Sequence, residues 1–192
     1  MLDQSLNTDD HLISLAKNGD RSAFGELVIR HYESVIRVVF RFCSEAQLAQ
    51  DVAQETFIKA WVKLAGYQVR SSFRCWLYRI AINTALDILR QKKEESLEDS
   101  EGIWMMADKS PGPEAAYIEK EQVDFLQGVV RSLPEAARSV LVLREYGDLS
   151  YEEIASVLEI PIGTVMSRLS YARNRLREVL KNYQLEMEHE YV

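Results

Sequence analysis

The stretch Ser150–Leu180, SYEEIASVLEIPIGTVMSRLSYARNRLREVL, predicts two helices joined by a tight turn. Ser150 and Glu153 have the spacing of a capping box, in which a hydroxyl and a carboxylate each accept from an exposed backbone N–H group. Pro161 is tolerated at the start of a helix but not inside one, so it marks where the second helix begins. Apolar residues then recur at helical spacing on one side of that helix: Val165, Leu169, Ala172, Leu176, Val179 and Leu180.

The other side of the second helix is polar and basic. From Gly163 to Lys181 there are five basic residues and one acid, a net charge of +4, on a chain whose net charge is −7. A helix pair with a short turn and a basic outer side is typical of a DNA-binding helix-turn-helix. An ordinary αα-hairpin with a solvated arginine face is the alternative, and the charge contrast with the rest of the chain favours DNA.

The composition of the chain is that of an all-α globular protein. It has 192 residues, 47% of them hydrophobic and 28% charged, with only 8 glycines and 4 prolines. A protein that finds DNA unaided usually carries a basic surface, because phosphate contacts supply most of the non-specific affinity. This chain has 23 basic and 30 acidic residues. We therefore expect a partner to bring it to DNA.

Several classes of protein find no support in the sequence. No apolar run is long enough to span a bilayer, and the N-terminus lacks the features of a signal peptide, so we expect a cytoplasmic protein without direct membrane insertion. Cys43 and Cys75 lack the spacing of a zinc site or a disulfide framework. No glycine-rich phosphate loop and no nucleophile–base pair is visible, so we expect neither an enzyme nor a bound metal or cofactor.

The segment Glu45–Leu64 predicts a helix with two different faces. One side is a core stripe that includes Phe57 and Trp61. The other side mixes apolar, acidic and amide side chains: Asp51, Gln54, Glu55, Ile58 and Val62. Such a mixed outward patch suits a protein–protein contact. The periodicity leaves open the alternative that N-terminal helices cover Ile58 and Val62.

A loop, AGYQVRSS, and the helix FRCWLYRIAINTALDILRQKK follow. This helix combines aromatic residues with arginines and lysines, and its acids are few. Rings for stacking and cations for phosphates beside a loop are what single-stranded nucleic acid requires. The alternative is a central core helix with arginines at its edges.

An acidic stretch divides the chain into two small helical domains. Residues 94–122 contain nine acids and two lysines, a net charge of −7, and include the turn-forming sequence SPGP. The predicted organisation is an N-terminal domain over 1–93, a flexible linker over 94–113 and a C-terminal domain over 114–192. The last residues, QLEMEHEYV, are expected to fray.

With both domains laid out, the chain resembles the extracytoplasmic-function (ECF) group of bacterial sigma factors over nearly its full length. Four segments carry the resemblance in order: KNGDRSAFGELV, DVAQETFIKAW, FRCWLYRIAINTALDILRQKK and SLPEAARSVLVLREYGDLSYEEIASVLEIPIGTVMSRLSYARNRL. The resemblance implies a monomeric, dissociable subunit of core RNA polymerase that recognises promoter DNA and helps to open it. It also implies docking on the clamp helices of the largest polymerase subunit and on the flap region, and an anti-sigma factor as a further partner.

The resemblance also assigns roles to particular residues. The polymerase contact would fall on the mixed face of the third helix: Asp51, Gln54, Glu55, Ile58 and Val62. Recognition of the −10 element would fall on the loop and the helix after it: Tyr67, Arg70, Ser71, Arg74, Trp76, Arg79, Asn83 and Arg90. Recognition of the −35 element would fall on the helix after Pro161: Thr164, Ser167, Arg168, Ser170, Tyr171, Arg173 and Arg177.

Two places depart from the pattern of the family. Many relatives have Arg-Gly where this chain has Gln68 and Val69, and many have basic residues where it has Met166 and Tyr171. The promoter recognised here is therefore expected to be unusual. The main alternative function is a stand-alone helix-turn-helix regulator, which would bind duplex DNA tightly without polymerase.

Overall fold

The computed structural model describes residues 8–68, 71–98 and 125–190, and within these ranges all regular structure is helical. The predicted all-α class is therefore confirmed. The first half of the chain forms four α-helices, with a short 3₁₀ turn at Leu64–Gly66 before the fourth: α1 (Asp9–Lys17), α2 (Arg21–Cys43), α3 (Ala46–Lys63) and α4 (Phe73–Glu98).

Side chains at the helix ends explain where these elements begin and stop. The Thr8 hydroxyl accepts from the backbone N–H of His11 and caps α1. The Asp20 carboxylate accepts from two backbone N–H groups and caps α2. Ser44 ends α2 in the left-handed conformation, with φ of 59°. The Ser72 hydroxyl accepts from the N–H of Cys75 at the start of α4.

The second half of the chain forms a compact group of helices that ends in the predicted helix-turn-helix. Its elements are α5 (125–132), α6 (Glu135–Glu145), α7 (Tyr151–Leu158) and α8 (Ile162–Glu190). The capping box between Ser150 and Glu153 is confirmed at the start of α7. Glu159 ends α7 with a positive φ of 54°, which reverses the chain toward Pro161. Helix α8 continues to Glu190, through most of the tail that the sequence predicts to fray.

One apolar core runs through both halves of the molecule. Helix α2 packs on α6, and α4 packs on α7. The buried Arg138 of α6 donates to the backbone carbonyl of Phe42 over 3.2 Å and lies over its ring. This burial lowers the pKa of Arg138, because desolvation disfavours its charged form. The two domains are thus in direct contact, which the sequence did not predict.

Two predictions fall wholly or partly outside the described residues. The predicted linker, 94–113, is described only as far as Glu98, where α4 ends. Arg70, a predicted contact to the −10 element, also lies outside the described ranges.

Candidate nucleic-acid interface

The outward face of α3 is open, as a binding surface requires. Ile58 is 53% exposed and Val62 is 74% exposed. Asp51 and Gln54 are also exposed, and Glu55 is half-buried and paired with Lys59 over 3.5 Å. The alternative that N-terminal helices cover Ile58 and Val62 is therefore wrong. Burying these two side chains would be favourable only against a second molecule.

A groove between α2 and α3 adjoins this face. Its volume is about 680 Å³, and its lining combines aromatic side chains with a polar rim that includes Asp51 and Gln54. The rings are locked in pairs: Phe24 and Trp61 have centroids 4.9 Å apart, and Tyr32 stacks on Phe57 at 6.1 Å. An apolar floor with a hydrogen-bonding rim is the usual anatomy of a protein-binding surface. Sequence reasoning identified the rim but missed the groove, because one of its walls comes from α2.

The loop before α4 is held by an aromatic cluster. Tyr67 is only 4% exposed, and its ring contacts Phe73 and Trp76 with centroids 5.7 and 4.9 Å away. Its hydroxyl donates to the Ser71 carbonyl over 2.9 Å, and Lys17 donates to the Tyr67 carbonyl over 2.6 Å. Burial raises the pKa of Tyr67. The structure therefore places this ring inside the loop's packing and not on an open surface.

Four of the candidate −10 residues share one side of α4. Trp76, Arg79, Asn83 and Arg90 are spaced at helical intervals over about 21 Å of helix. Trp76 and Arg79 are half-buried, whereas Asn83 and Arg90 are exposed. Arg74 and Ser71 are half-buried near the start of the helix. The arrangement offers one partly exposed ring followed by polar and cationic side chains in a row.

The beginning of this row is in contact with the helix-turn-helix. Arg79 donates from Nη1 to Glu159 over 3.0 Å, and from Nη2 to the carbonyl of Ser156. One turn earlier, the Cys75 thiol donates to Glu153 over 3.5 Å. A cleft of about 550 Å³ separates the two helices beside these contacts, with Trp76 among its lining residues. No local sequence pattern indicated this contact, since the pairs are more than 75 residues apart along the chain.

The outward side of α8 presents the predicted DNA-facing residues. Ser167, Ser170, Tyr171 and Arg177 are exposed. In the predicted apolar stripe, the first three residues are buried and the last three are half-buried: Val165, Leu169 and Ala172, then Leu176, Val179 and Leu180. Thr164 and Arg168 are half-buried.

Three of the arginines on α8 have partners in the described part of the chain. Arg173 donates to Glu145 of α6 over 2.8 Å, and Arg177 donates to Asn174 over 2.8 Å. Arg175 pairs with Glu178 of the same helix over 3.4 Å. The bond to Glu145 also raises the pKa of Arg173. Arg173 therefore connects α8 to α6, while Arg177 remains at the surface.

Two kinds of feature are absent from the described ranges. No helix there combines the length and the apolar character needed to cross a membrane. Nor do those ranges bring three or more histidine, cysteine, aspartate or glutamate side chains together as a metal site would.

Known protein families match both halves of the chain. The family model for sigma-70 region 2 matches residues 27–95, and the model for sigma-70 region 4 matches residues 126–176. The chain is 38% identical to the RNA polymerase sigma-H factor of Pseudomonas aeruginosa, with 90% of this chain and 94% of that protein covered. It is 34% identical to the ECF RNA polymerase sigma factor SigW of Bacillus subtilis, with 88% and 95% covered.

A solved structure shows the same fold. The sigma factor RpoE of Bartonella quintana, in complex with the anti-sigma factor NepR, superposes with a TM-score of 0.67 at 26% identity, covering 82% of this chain and 96% of that one. The chain therefore belongs to the ECF group of sigma-70 RNA polymerase sigma factors. Members of this family are transcription initiation factors and not enzymes.

Proposed function

We propose that this sigma factor docks on core RNA polymerase through the outward face of α3. Two β-branched side chains, Ile58 and Val62, are exposed there beside Asp51, Gln54 and Glu55. The partner would be the clamp helices of the largest subunit. The apolar pair would be buried against these helices, and the polar groups would fix their alignment through hydrogen bonds and ion pairs. This exposed mixed face is the observation that carries the proposal.

Recognition and opening of the −10 element would follow along α4. Bases displaced from the duplex need a stacking surface and cations for their phosphates, and these contacts offset the cost of unpairing. Trp76 would stack with a displaced base, and Arg74, Arg79, Asn83 and Arg90 would contact the strand. Tyr67 would act from inside the aromatic cluster, by holding the loop that carries Arg70 and Ser71.

Recognition of the −35 element would be the task of the helix-turn-helix. Helix α8 would enter the major groove and present Ser167, Ser170 and Tyr171 to base edges. Thr164, Arg168 and Arg177 would position the helix on the phosphates. Arg173 would support this surface through its bond to Glu145. The C-terminal domain, 114–192, would also meet the polymerase flap region, with residues 94–113 linking it to the N-terminal domain, 1–93.

The contact between Arg79 and α7 has a consequence for activation. Because Glu159 and Ser156 occupy this guanidinium, the two domains must separate before Arg79 can reach DNA. A binding partner that keeps the two domains in contact would therefore inhibit the factor. We propose an anti-sigma factor as that partner, in line with the complex formed by the Bartonella quintana relative. The protein would work in the cytoplasm, as a monomer, where polymerase and DNA are found.

DNA binding with and without polymerase tests the proposal against a stand-alone regulator. The experiment measures how tightly the full chain binds upstream genomic fragments, first without core RNA polymerase and then with it. The net charge of −7 predicts weak binding by the isolated chain and specific binding by the holoenzyme. Tight, specific binding by the isolated chain would contradict the proposal and favour the regulator.

A further inference from the structure

Helix α8 carries large apolar side chains that its own packing leaves exposed. Met166 is 55% exposed, Tyr171 is 52% exposed and Ile162 is 42% exposed. The packing of the helix does not require them, because Val165 and Leu169 are 0% and 2% exposed and already fill the core. Neighbouring exposed apolar side chains mark a contact surface.

Ile162 and Met166 form a continuous apolar strip. They are four residues apart, so their side chains lie one above the other on the same side of α8. Ser170 continues the line one turn further, and Ser167 lies beside Met166. The strip therefore occupies the first turns of the second helix of a helix-turn-helix, the part that contacts base edges in this motif.

The charge of α8 indicates what covers the strip. The helix has a net charge of +4 between Gly163 and Lys181, and Arg168 and Arg175 lie on its flanks. A cationic surface around a small apolar strip matches the phosphates of a DNA groove better than it matches an apolar helix of a protein partner. The occupant consistent with both properties is duplex DNA.

The major groove offers one apolar group, the C5-methyl of thymine. The other groups at base edges are hydrogen-bond donors and acceptors, which need polar partners that the methionine and isoleucine side chains lack. A flexible thioether on an exposed helix surface can adjust to a single methyl group.

We infer that Met166, with Ile162 beside it, recognises the methyl group of a thymine in the −35 element. The inference rests on the proposed role of α8 and adds the identity of one base to it. A basic side chain at that place would favour a guanine or a phosphate, whereas Met166 favours an A·T pair.

Single-methyl substitution in the DNA tests this directly. The probe is a promoter fragment that the holoenzyme transcribes, in which each thymine of the −35 element, on either strand, is replaced singly by deoxyuridine. Deoxyuridine pairs like thymine and lacks only the methyl group. At one position we expect wild-type holoenzyme to bind about three- to fivefold more weakly, the effect of losing one buried methyl group.

Variants of the protein complete the test. Met166→Ala should lower binding to the unmodified promoter by a similar factor and remove the sensitivity to deoxyuridine at that position. Met166→Leu should keep the sensitivity, and Ser167→Ala should leave it unchanged at that base. Because Met166 is exposed, thermal melting of Met166→Ala should match the wild type.

Four results would overturn the inference. Binding that is insensitive to deoxyuridine at every position, or a −35 element with no thymine on either strand, would exclude methyl recognition. Deoxyuridine sensitivity that persists in Met166→Ala would assign the methyl contact to another residue. If scrambling the whole −35 element leaves transcription unchanged, the proposed role of α8 fails as well, which distinguishes that failure from the other three.

Discussion

Removing the exposed apolar pair on α3 should separate polymerase binding from folding. We predict that the double substitution Ile58→Ala and Val62→Ala weakens binding to core RNA polymerase and lowers the stability of the chain only slightly. The two side chains are 53% and 74% exposed, so the native fold buries only part of each one. Their remaining apolar surface is available to a partner.

The magnitude follows from that exposed surface. Full burial of an isoleucine or valine side chain contributes roughly 1.5–3 kcal/mol. Scaling by the exposed fractions gives about 1 kcal/mol for Ile58 and slightly more for Val62, so about 2–3 kcal/mol for the pair. This corresponds to a dissociation constant raised roughly 30- to 150-fold. By the same scaling the buried remainder contributes about 1 kcal/mol for Ile58 and about 0.5 kcal/mol for Val62 to the free energy of unfolding. The higher helix propensity of alanine offsets part of this loss, so the pair of substitutions should lower the free energy of unfolding by about 1 kcal/mol or less.

The assay is a titration of core RNA polymerase into the fluorescently labelled chain, with urea unfolding measured in parallel. Ile29→Ala is the matched control, because Ile29 on α2 is also β-branched and 74% exposed but is not among the residues that line the α2–α3 groove. The control should bind polymerase like the wild type. Unchanged affinity of the double variant would refute the docking face. An equal loss in the control would show that general surface hydrophobicity, and not this face, governs binding.

Three further predictions concern the helix-turn-helix and its contact with α4. Gly147→Ala should destabilise the chain by about 1–3 kcal/mol in thermal melts, because a Cβ atom there would lie 2.7 Å from a backbone oxygen; an unaltered melting temperature would contradict this. Glu153→Ala should cost about 1 kcal/mol at neutral pH through loss of the capping box with Ser150. The backbone N–H of Ser150 lowers the pKa of Glu153, so this contribution is present above the ordinary glutamate pKa and is lost as the pH falls through the lowered value. Unfolding measured across the acid range should therefore show the variant and the wild type converging, and a constant difference would exclude this cause. Glu159→Ala removes the exposed ion pair with Arg79, which contributes ~0–1 kcal/mol. The fraction of molecules with separated domains, measured by small-angle scattering, should therefore rise by up to about fivefold. Glu152→Ala leaves that pair intact and is the control.

The local features of this fold were predictable because short-range chemistry determines them. The capping box at Ser150 needs only one residue three positions later, and the break at Pro161 needs only the missing N–H group. The buried stripe of α8 follows from helical periodicity, and the structure confirms Val165, Leu169 and Ala172 within it. The exposed face of α3 was predicted as one of two alternatives, and the structure excluded the other.

The features that sequence reasoning missed depend on contacts between distant parts of the chain. Tyr67 stands in a polar loop, yet its ring is buried because Phe73 and Trp76 close over it. The pairing of Arg79 with Glu159 joins residues 80 positions apart, and no periodicity within either helix indicates it. The burial of Arg138 was also missed, since its position in an amphipathic helix does not predict that it packs against α2.

Run-off transcription measures whether this chain confers promoter specificity on RNA polymerase. Core RNA polymerase would be incubated with upstream genomic fragments, with and without the protein. We expect new transcripts that start only when the protein is present, from promoters that share a −35 and a −10 element. We also expect Ile58→Ala with Val62→Ala to reduce these transcripts at limiting protein concentration. Fragments bound tightly by the protein with no new transcripts would show that it is not a sigma factor in function.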